Sequence, residues 1–503
     1  NNNNKYSKIN LLEILIICNG DWEKVFKELI QTNIEDRKYL KKIISKTLNN
    51  NKTEMALSAI NNVRLEIKDI SFFANELGYY YLSMKDYDNA LNEFLNHLEK
   101  FPAHLKMINE RVMSFPNEKN INNNMINILK ESQLIESKVI LADLYFKIED
   151  FSSAINLLKE YNFLNELLSI AINLNALNQF ELSTDLFFYI IENSNGAITQ
   201  KAIFELAKSL EKRGLVKKSN LQLSGFMNSN ENFTSPFVRI NEREAELMYK
   251  AIALYDSLSV NANDLHSEFR LSEIRFKALG DLDAAYNSYM KIYQNSRSKD
   301  LKMKSVKRLA DVLAARGDLD SAIDIIDDEL VSNIWNEDDK VRLKIKQNQF
   351  LFYNNEFDFI FNDFNTMAKQ YSMQEKDYNN IIEIMSILIL FKEYPEIFKE
   401  FAGAQLKIHQ NKRTEAINIL NSIYQKPDYI IINNLINYQI ANLLVYQNKI
   451  NEAIQKLETI SGDDIYNELA QILLAEIYDH ILNDSINAKI YYISILKNFQ
   501  NSI

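Results

Sequence analysis

Residues 71–102 read SFFANELGYYYLSMKDYDNALNEFLNHLEKFP, and their spacing decides the fold. Leu77, Gly78 and Tyr81 recur within one helical run, Ala90 and Phe94 within a second, and Pro102 closes the stretch. Small residues at Gly78 and Ala90 let two helices approach closely, while Tyr81 and Phe94 fill the space beside that contact. Between them, Lys85-Asp86-Tyr87-Asp88 supplies a turn and an acidic start to the second helix, where carboxylates meet the positive end of the helix dipole. The stretch predicts an antiparallel helix pair.

The same template extends along the chain. Upstream, Ala56 precedes Ala90 by 34 residues, and Asn19-Gly20-Asp21-Trp22 has the character of a link. Downstream come Ala142, Tyr145, Ala154 and Leu158, then Ala171, Leu174, Ser183 and Phe187, then Ala207, Leu210, Ser219 and Leu223. In the second half the link recurs almost verbatim as Gly280-Asp281-Leu282-Asp283-Ala284-Ala285 and Gly317-Asp318-Leu319-Asp320-Ser321-Ala322, its final alanines 37 residues apart. Further copies pair Ala404 with Ala416, Ala441 with Ala453, and Ala475 with Ala488, the last with one extra residue in its link.

This recurrence, about ten units of roughly 34 residues, resembles the tetratricopeptide (TPR) repeat family over most of the chain. The resemblance implies an all-α, right-handed superhelical solenoid of antiparallel helix hairpins, with a concave groove lined by the first helices. The period fades between Pro102 and Leu134, where Met107–Met113 and Met125–Leu129 still suggest helices, and it breaks between Leu223 and Leu265. Residues 1–224 are therefore expected to form one TPR-like block, 225–262 an irregular joint with one helix, and 263–503 a second block. The polar stretch Ser224–Pro236 is expected to let the blocks adjust their angle.

Composition excludes other classes. Only 9 Gly and 5 Pro occur in 503 residues, too few for the turn punctuation of a β-rich or Rossmann-type chain. A net charge of −11 argues against a phosphate-backbone partner, and the densest basic run, Arg37 to Lys46, reads as one solvated helix face. No nucleic acid, cofactor or metal is expected. The lone cysteine, Cys18, permits no intrachain disulfide and reads as a small core residue. No apolar run is long enough to span a membrane. A chain that starts on Asn is expected to continue upstream, with a signal peptide or lipid anchor, and one that stops where another repeat should begin is expected either to continue downstream or to have a partner cover that edge.

Catalytic signatures are missing. The histidines at 97, 104, 266, 409 and 480 are scattered and read as surface or groove residues, and no H-E-x-x-H, G-x-S-x-G or Gly-rich phosphate loop occurs. The chain reads as no enzyme. Nor do its first helices carry the Lys/Asn pairs by which some TPR domains clamp a terminal carboxylate. They offer Tyr79, Phe146, Tyr438 and Tyr446 as aromatic contacts and Asp143, Lys208, Arg270, Lys277, Lys307 and Asp311 as charged ones, the types that anchor interfaces. The resulting expectation is a bacterial protein-binding scaffold holding a peptide segment or folded partner in its groove, placed in the periplasm or cell envelope within a membrane-associated complex. The alternatives are a cytoplasmic adaptor, a peptide-sensing regulatory module, or the non-catalytic part of a larger enzyme.

Overall fold

The computed structural model describes residues 2–215, 221, 227–370, 375–424 and 430–499. Internal contacts divide the chain into two compact units, Asn1–Thr199 and Gln200–Ile503. Each is a stack of helices, and no strand occurs among the described residues beyond an isolated antiparallel bridge between Leu215 and Ile240.

The first unit consists of helix hairpins. These pair α1 (Asn2–Ile17) with α2 (Trp22–Thr32), α3 (Arg37–Asn49) with α4 (Thr53–Ile67), and α5 (Ala74–Ser83) with α6 (Tyr87–Lys100). The faded stretch forms α7 (Leu105–Met113) and α8 (Lys119–Glu131), and the unit continues through α9 (Ile135–Lys147), α10 (Phe151–Glu160), α11 (Leu164–Ala176) and α12 (Phe180–Asn193). First helices touch first helices, as α1 does α3 and α7 does α9, and second helix α6 touches second helix α8. This two-layer stacking is what makes an all-α solenoid.

The second unit runs from Gln200 of α13 (Gly196–Gly214) through α14 (Ala245–Asn261), α15 (Leu265–Ile274), α16 (Leu282–Asn295), α17 (Lys299–Arg316) and α18 (Leu319–Leu330). It continues with α19 (Glu337–Tyr353), α20 (Phe357–Gln370), α21 (Glu375–Phe391), α22 (Pro395–His409) and α23 (Arg413–Tyr424). Helices α24 (Ile430–Tyr446), α25 (Ile450–Glu458), α26 (Ile465–Glu476) and α27 (Ser485–Asn498) complete it. Of the unit expected at Ala207, Leu210, Ser219 and Leu223, the last two residues lie outside the described residues. What packs on α13 is α14, through the Phe204–Tyr255 ring contact and a hydrogen bond from the Tyr255 hydroxyl to Glu211.

Local chemistry explains how so glycine-poor a chain turns so often. The residue closing the first helix of a hairpin often takes positive φ, and among the described residues asparagine fills that place at Asn19, Asn51, Asn178, Asn355, Asn411, Asn448 and Asn483, lysine and glutamate at Lys85 and Glu149, and glycine at Gly280 and Gly317. Asparagine tolerates the left-handed conformation because its short amide can bond locally. The next residue is often an N-capping aspartate: Asp86, Asp150, Asp281, Asp318 and Asp484 each accept a backbone N–H from the first turn that follows.

In the hairpin that sets the template, Gly78 faces the buried ring of Phe94, and a Cβ there would lie 2.5 Å from Phe94 Cε1. Ala90 is fully buried. The extra residue between Ala475 and Ala488 does not lengthen the link as expected. It is absorbed one step earlier, as a π turn at Ile477–Ile481, and the same device at Arg275–Leu279 absorbs the matching extra residue between Ser272 and Ala285. Cys18, expected in the core, is exposed, because the buried stripe of α1 runs through Ile9, Leu12 and Ile16 and leaves it aside.

Candidate functional site

Charged and amide side chains on successive first helices bond to one another at about one repeat of separation, forming a polar ladder. In the first unit Lys46 on α3 meets Glu13 on α1 at 2.7 Å, Lys41 on α3 meets Glu76 on α5 at 2.6 Å, and Arg111 on α7 donates to Asn75 on α5 at 2.9 Å. Asn109 on α7 donates to Asp143 on α9 at 2.5 Å. The second unit repeats the scheme with buried groups. Arg270 on α15 grips Glu211 on α13 at 2.5 Å, Arg308 on α17 grips Glu273 on α15 at 2.7 Å, and Lys346 on α19 grips Asp311 on α17 at 2.5 Å. Gln405 on α22 and Gln439 on α24 exchange reciprocal amide bonds of 2.9 and 2.5 Å.

Around Asp311 the rungs merge. Its carboxylate also accepts from Arg308 at 2.7 Å, while Glu273 accepts from the Tyr289 hydroxyl at 2.6 Å and pairs with Lys277. Burial pushes the Glu273 carboxyl up, but the charges of Arg308 and Lys277 outweigh it and hold the group down at about 2. The same contest, won by Lys346 and Arg308, keeps Asp311 well below the usual carboxylate range. His409 approaches the Asp311 carbonyl at 3.2 Å and is almost fully buried, which drives its pKa down.

Over this network lies a strap, residues 227–236. Lys346 reaches the Glu231 carboxylate at 3.3 Å, Gln349 donates to the Glu231 carbonyl at 2.7 Å, and the Tyr353 hydroxyl donates to the Asn232 carbonyl at 3.1 Å. From α21, Glu383 accepts the Met227 backbone N–H and the Asn230 amide, the latter at 3.0 Å, while Asn228 donates to Asn442 on α24 at 3.1 Å. Met227 and Phe233 are buried in the main core cluster, the Phe233 ring edge-on to Phe352. The segment expected to be a joint thus lies, in its described part, within the second unit and fastened to α19, α21 and α24.

The expected contact residues separate accordingly. Tyr79 and Tyr446 are exposed, and each carries an arginine over its ring: Arg111 at 4.2 Å and Arg413 at 5.7 Å from the ring centre. Lys208 is exposed beside Glu205. Asp143, Phe146 and Lys307 are half-buried, Asp143 as a ladder rung and Phe146 against the Phe151 ring. Arg270 and Lys277 are tied into the ladder. Asp311 and Tyr438 do not belong to an open groove: both are buried, Asp311 beneath Lys346 and Arg308, Tyr438 fully inside the packing of α24. His97 and His409 are likewise buried rather than on a surface.

Sequence reasoning missed Arg111, Glu273, Arg308, Lys346 and Tyr353. The one-repeat spacing of opposite charges, Glu273 to Arg308 and Asp311 to Lys346, was the signal that could have found three of them, whereas Arg111 meets an amide and Tyr353 a main-chain carbonyl. Beside Arg413, a cavity of about 270 Å³ is lined by Phe237, Arg239, Asn411, Thr414 and Gln447 among others. Among the described residues no cluster of three or more metal-ligating side chains occurs and no helix is long and apolar enough to cross a membrane.

No family model and no curated protein matches the chain. Among solved structures it is similar to Naa15/Naa10 bound to HypK-THB, at 12% identity and a TM-score of 0.31, covering 99% of this chain and 76% of that one. It is similar also to the Cut9 and Hcn1 hetero-tetramer of the APC/C (13%, 0.28, covering 94% and 74%) and to yeast Tom70 (17%, 0.21, covering 93% and 100%). At these TM-scores the likeness adds nothing to the hairpin geometry described above.

Proposed function

We propose that this chain is a protein-binding scaffold whose chemistry is recognition rather than turnover. The observation that carries the reading is Tyr79: its ring is exposed, braced edge-on by Phe94 at 6.0 Å and capped by the Arg111 guanidinium, which Asn75 holds in turn. An aromatic fixed before binding loses little entropy on contact, and Tyr and Arg dominate interface hot spots. Tyr446 with Arg413 offers a second platform of the same kind on the second unit.

The test is association with a partner captured by crosslinking and then purified. Replacing Tyr79 by Ala should weaken binding by more than about 1 kcal/mol, while replacing exposed Lys208 by Ala should leave it nearly unchanged. Equal affinity for wild type and Tyr79→Ala would remove the platform from the reading. A second reading, a peptide-sensing regulatory module, is favoured by one observation: side chains of α19 in the second unit hold a non-helical segment by its main-chain carbonyls and a carboxylate.

A further inference from the structure

We propose that the face of the second unit around Lys346, Gln349, Tyr353 and Glu383 is a groove for a turn-forming peptide segment, filled in cis by residues 227–236, whose Phe233 N–H closes a turn on the Asn230 carbonyl, and opened when a partner segment of like chemistry takes their place. The inference deepens the regulatory reading above and stands apart from the Tyr79 platform.

The contacts are those of a bound peptide. The strap has no regular helix or strand; it offers main-chain groups, and the face answers them from side chains. Gln349 and Tyr353 read two successive carbonyls, of Glu231 and Asn232, and Glu383 reads the Met227 N–H. Recognition of this sort tolerates many sequences along the backbone and selects at few positions. Here the selected positions are a carboxylate at Glu231, placed against Lys346, a carboxamide at Asn230, placed against Glu383, and an aromatic at Phe233, placed against Phe352.

Two features make the strap exchangeable. The ladder beneath is joined without the strap, α17 to α19 by Asp311 with Lys346 and α17 to α15 by Arg308 with Glu273, so the α19 side of the face persists when the strap leaves. The fit is also incomplete, for the Asn232 amide nitrogen is buried with no hydrogen-bond partner. A partner segment with a carboxylate flanked by carboxamides, followed two residues on by an aromatic, would satisfy the same donors.

The experiment titrates a fluorescein-labelled peptide of sequence 227–236 into the full chain. Wild type, its groove filled, should bind weakly. Asn230→Ala combined with Phe233→Ala, which loosens the strap, should bind at least about tenfold more tightly, since apparent affinity scales with the open fraction. Adding Gln349→Ala and Tyr353→Phe to that background should abolish the gain. A folded loosened variant that binds no better than wild type overturns the proposal, as does a doubling of its mass in sedimentation, which would mean exchange of straps between copies. Should the variant not fold, hydrogen exchange on wild type decides: the Met227 amide should open well below the free energy of the α19 core amides, and equal protection overturns the proposal. Neither result bears on the Tyr79 test.

Discussion

The two units build the same ladder in different solvents. On the first unit the rung between Lys41 and Glu76 has both side chains more than a third exposed; on the second, Lys346 and Asp311 are 4% and 1% exposed beneath the strap. Coulomb attraction is screened in the first setting and strong in the second, where desolvation is also costly. One sequence pattern therefore gives a solvated rung at Lys41 and Glu76 and a buried one at Lys346 and Asp311, where Lys346 also meets the covering segment at Glu231.

The largest effect expected from this contrast is at Asp311. Asp311→Ala removes the buried carboxylate shared by Lys346 and Arg308, leaving Lys346 only Glu231 and Gln349, and should cost the second unit about 3–5 kcal/mol in chemical denaturation. A loss under about 1 kcal/mol would mean that water reaches the network.

In the first unit the sensitive point is packing instead. Gly78→Ala drives a methyl into the Phe94 ring and should cost about 1–3 kcal/mol through overpacking, seen as loss of hydrogen-exchange protection centred on α5 and α6. Loss spread evenly from end to end would contradict nearest-neighbour coupling.

Acid should separate the units more gently. In the second unit Glu273 is held down at about 2 and Asp311 lower than usual, so their stabilisation is complete above the ordinary carboxylate values and drains away as pH falls from about 4.5 toward 2. Glu231, lowered by Lys346, adds to this, and Glu383, raised by burial, opposes it. In the first unit Asp69, held at about 2 by Lys100, Ser71 and Arg37 against burial, is countered by Asp143, whose pKa burial raises. Exchange measured unit by unit from pH 5 to 2 should show the second losing protection first; the reverse order would break the comparison.

Much of the fold was legible in the sequence because hairpins announce themselves locally. Small residues twelve apart, as Ala404 and Ala416 or Ala441 and Ala453, mark the two helices, and Gly-Asp or Asn-Asp marks a left-handed closing residue followed by a cap. The π turns were not legible, since a thirteenth residue can be placed equally in link or helix until packing is known. Burial of Asp311 and Tyr438 was hidden for another reason: helical periodicity reports a face, and whether a face meets water depends on what covers it. Here the cover is an aperiodic polar segment, and its main-chain contacts leave no spacing in the sequence.

The most direct measurement is a pair of double-mutant cycles, Asp311 with Lys346 and Lys41 with Glu76, each to alanine, in equilibrium unfolding. Exposed pairs couple by about 0.2–1 kcal/mol; that value is expected for Lys41 with Glu76, and a coupling several times larger for Asp311 with Lys346. Equal couplings would contradict the contrast, because the second unit's ladder would then be as solvated as the first.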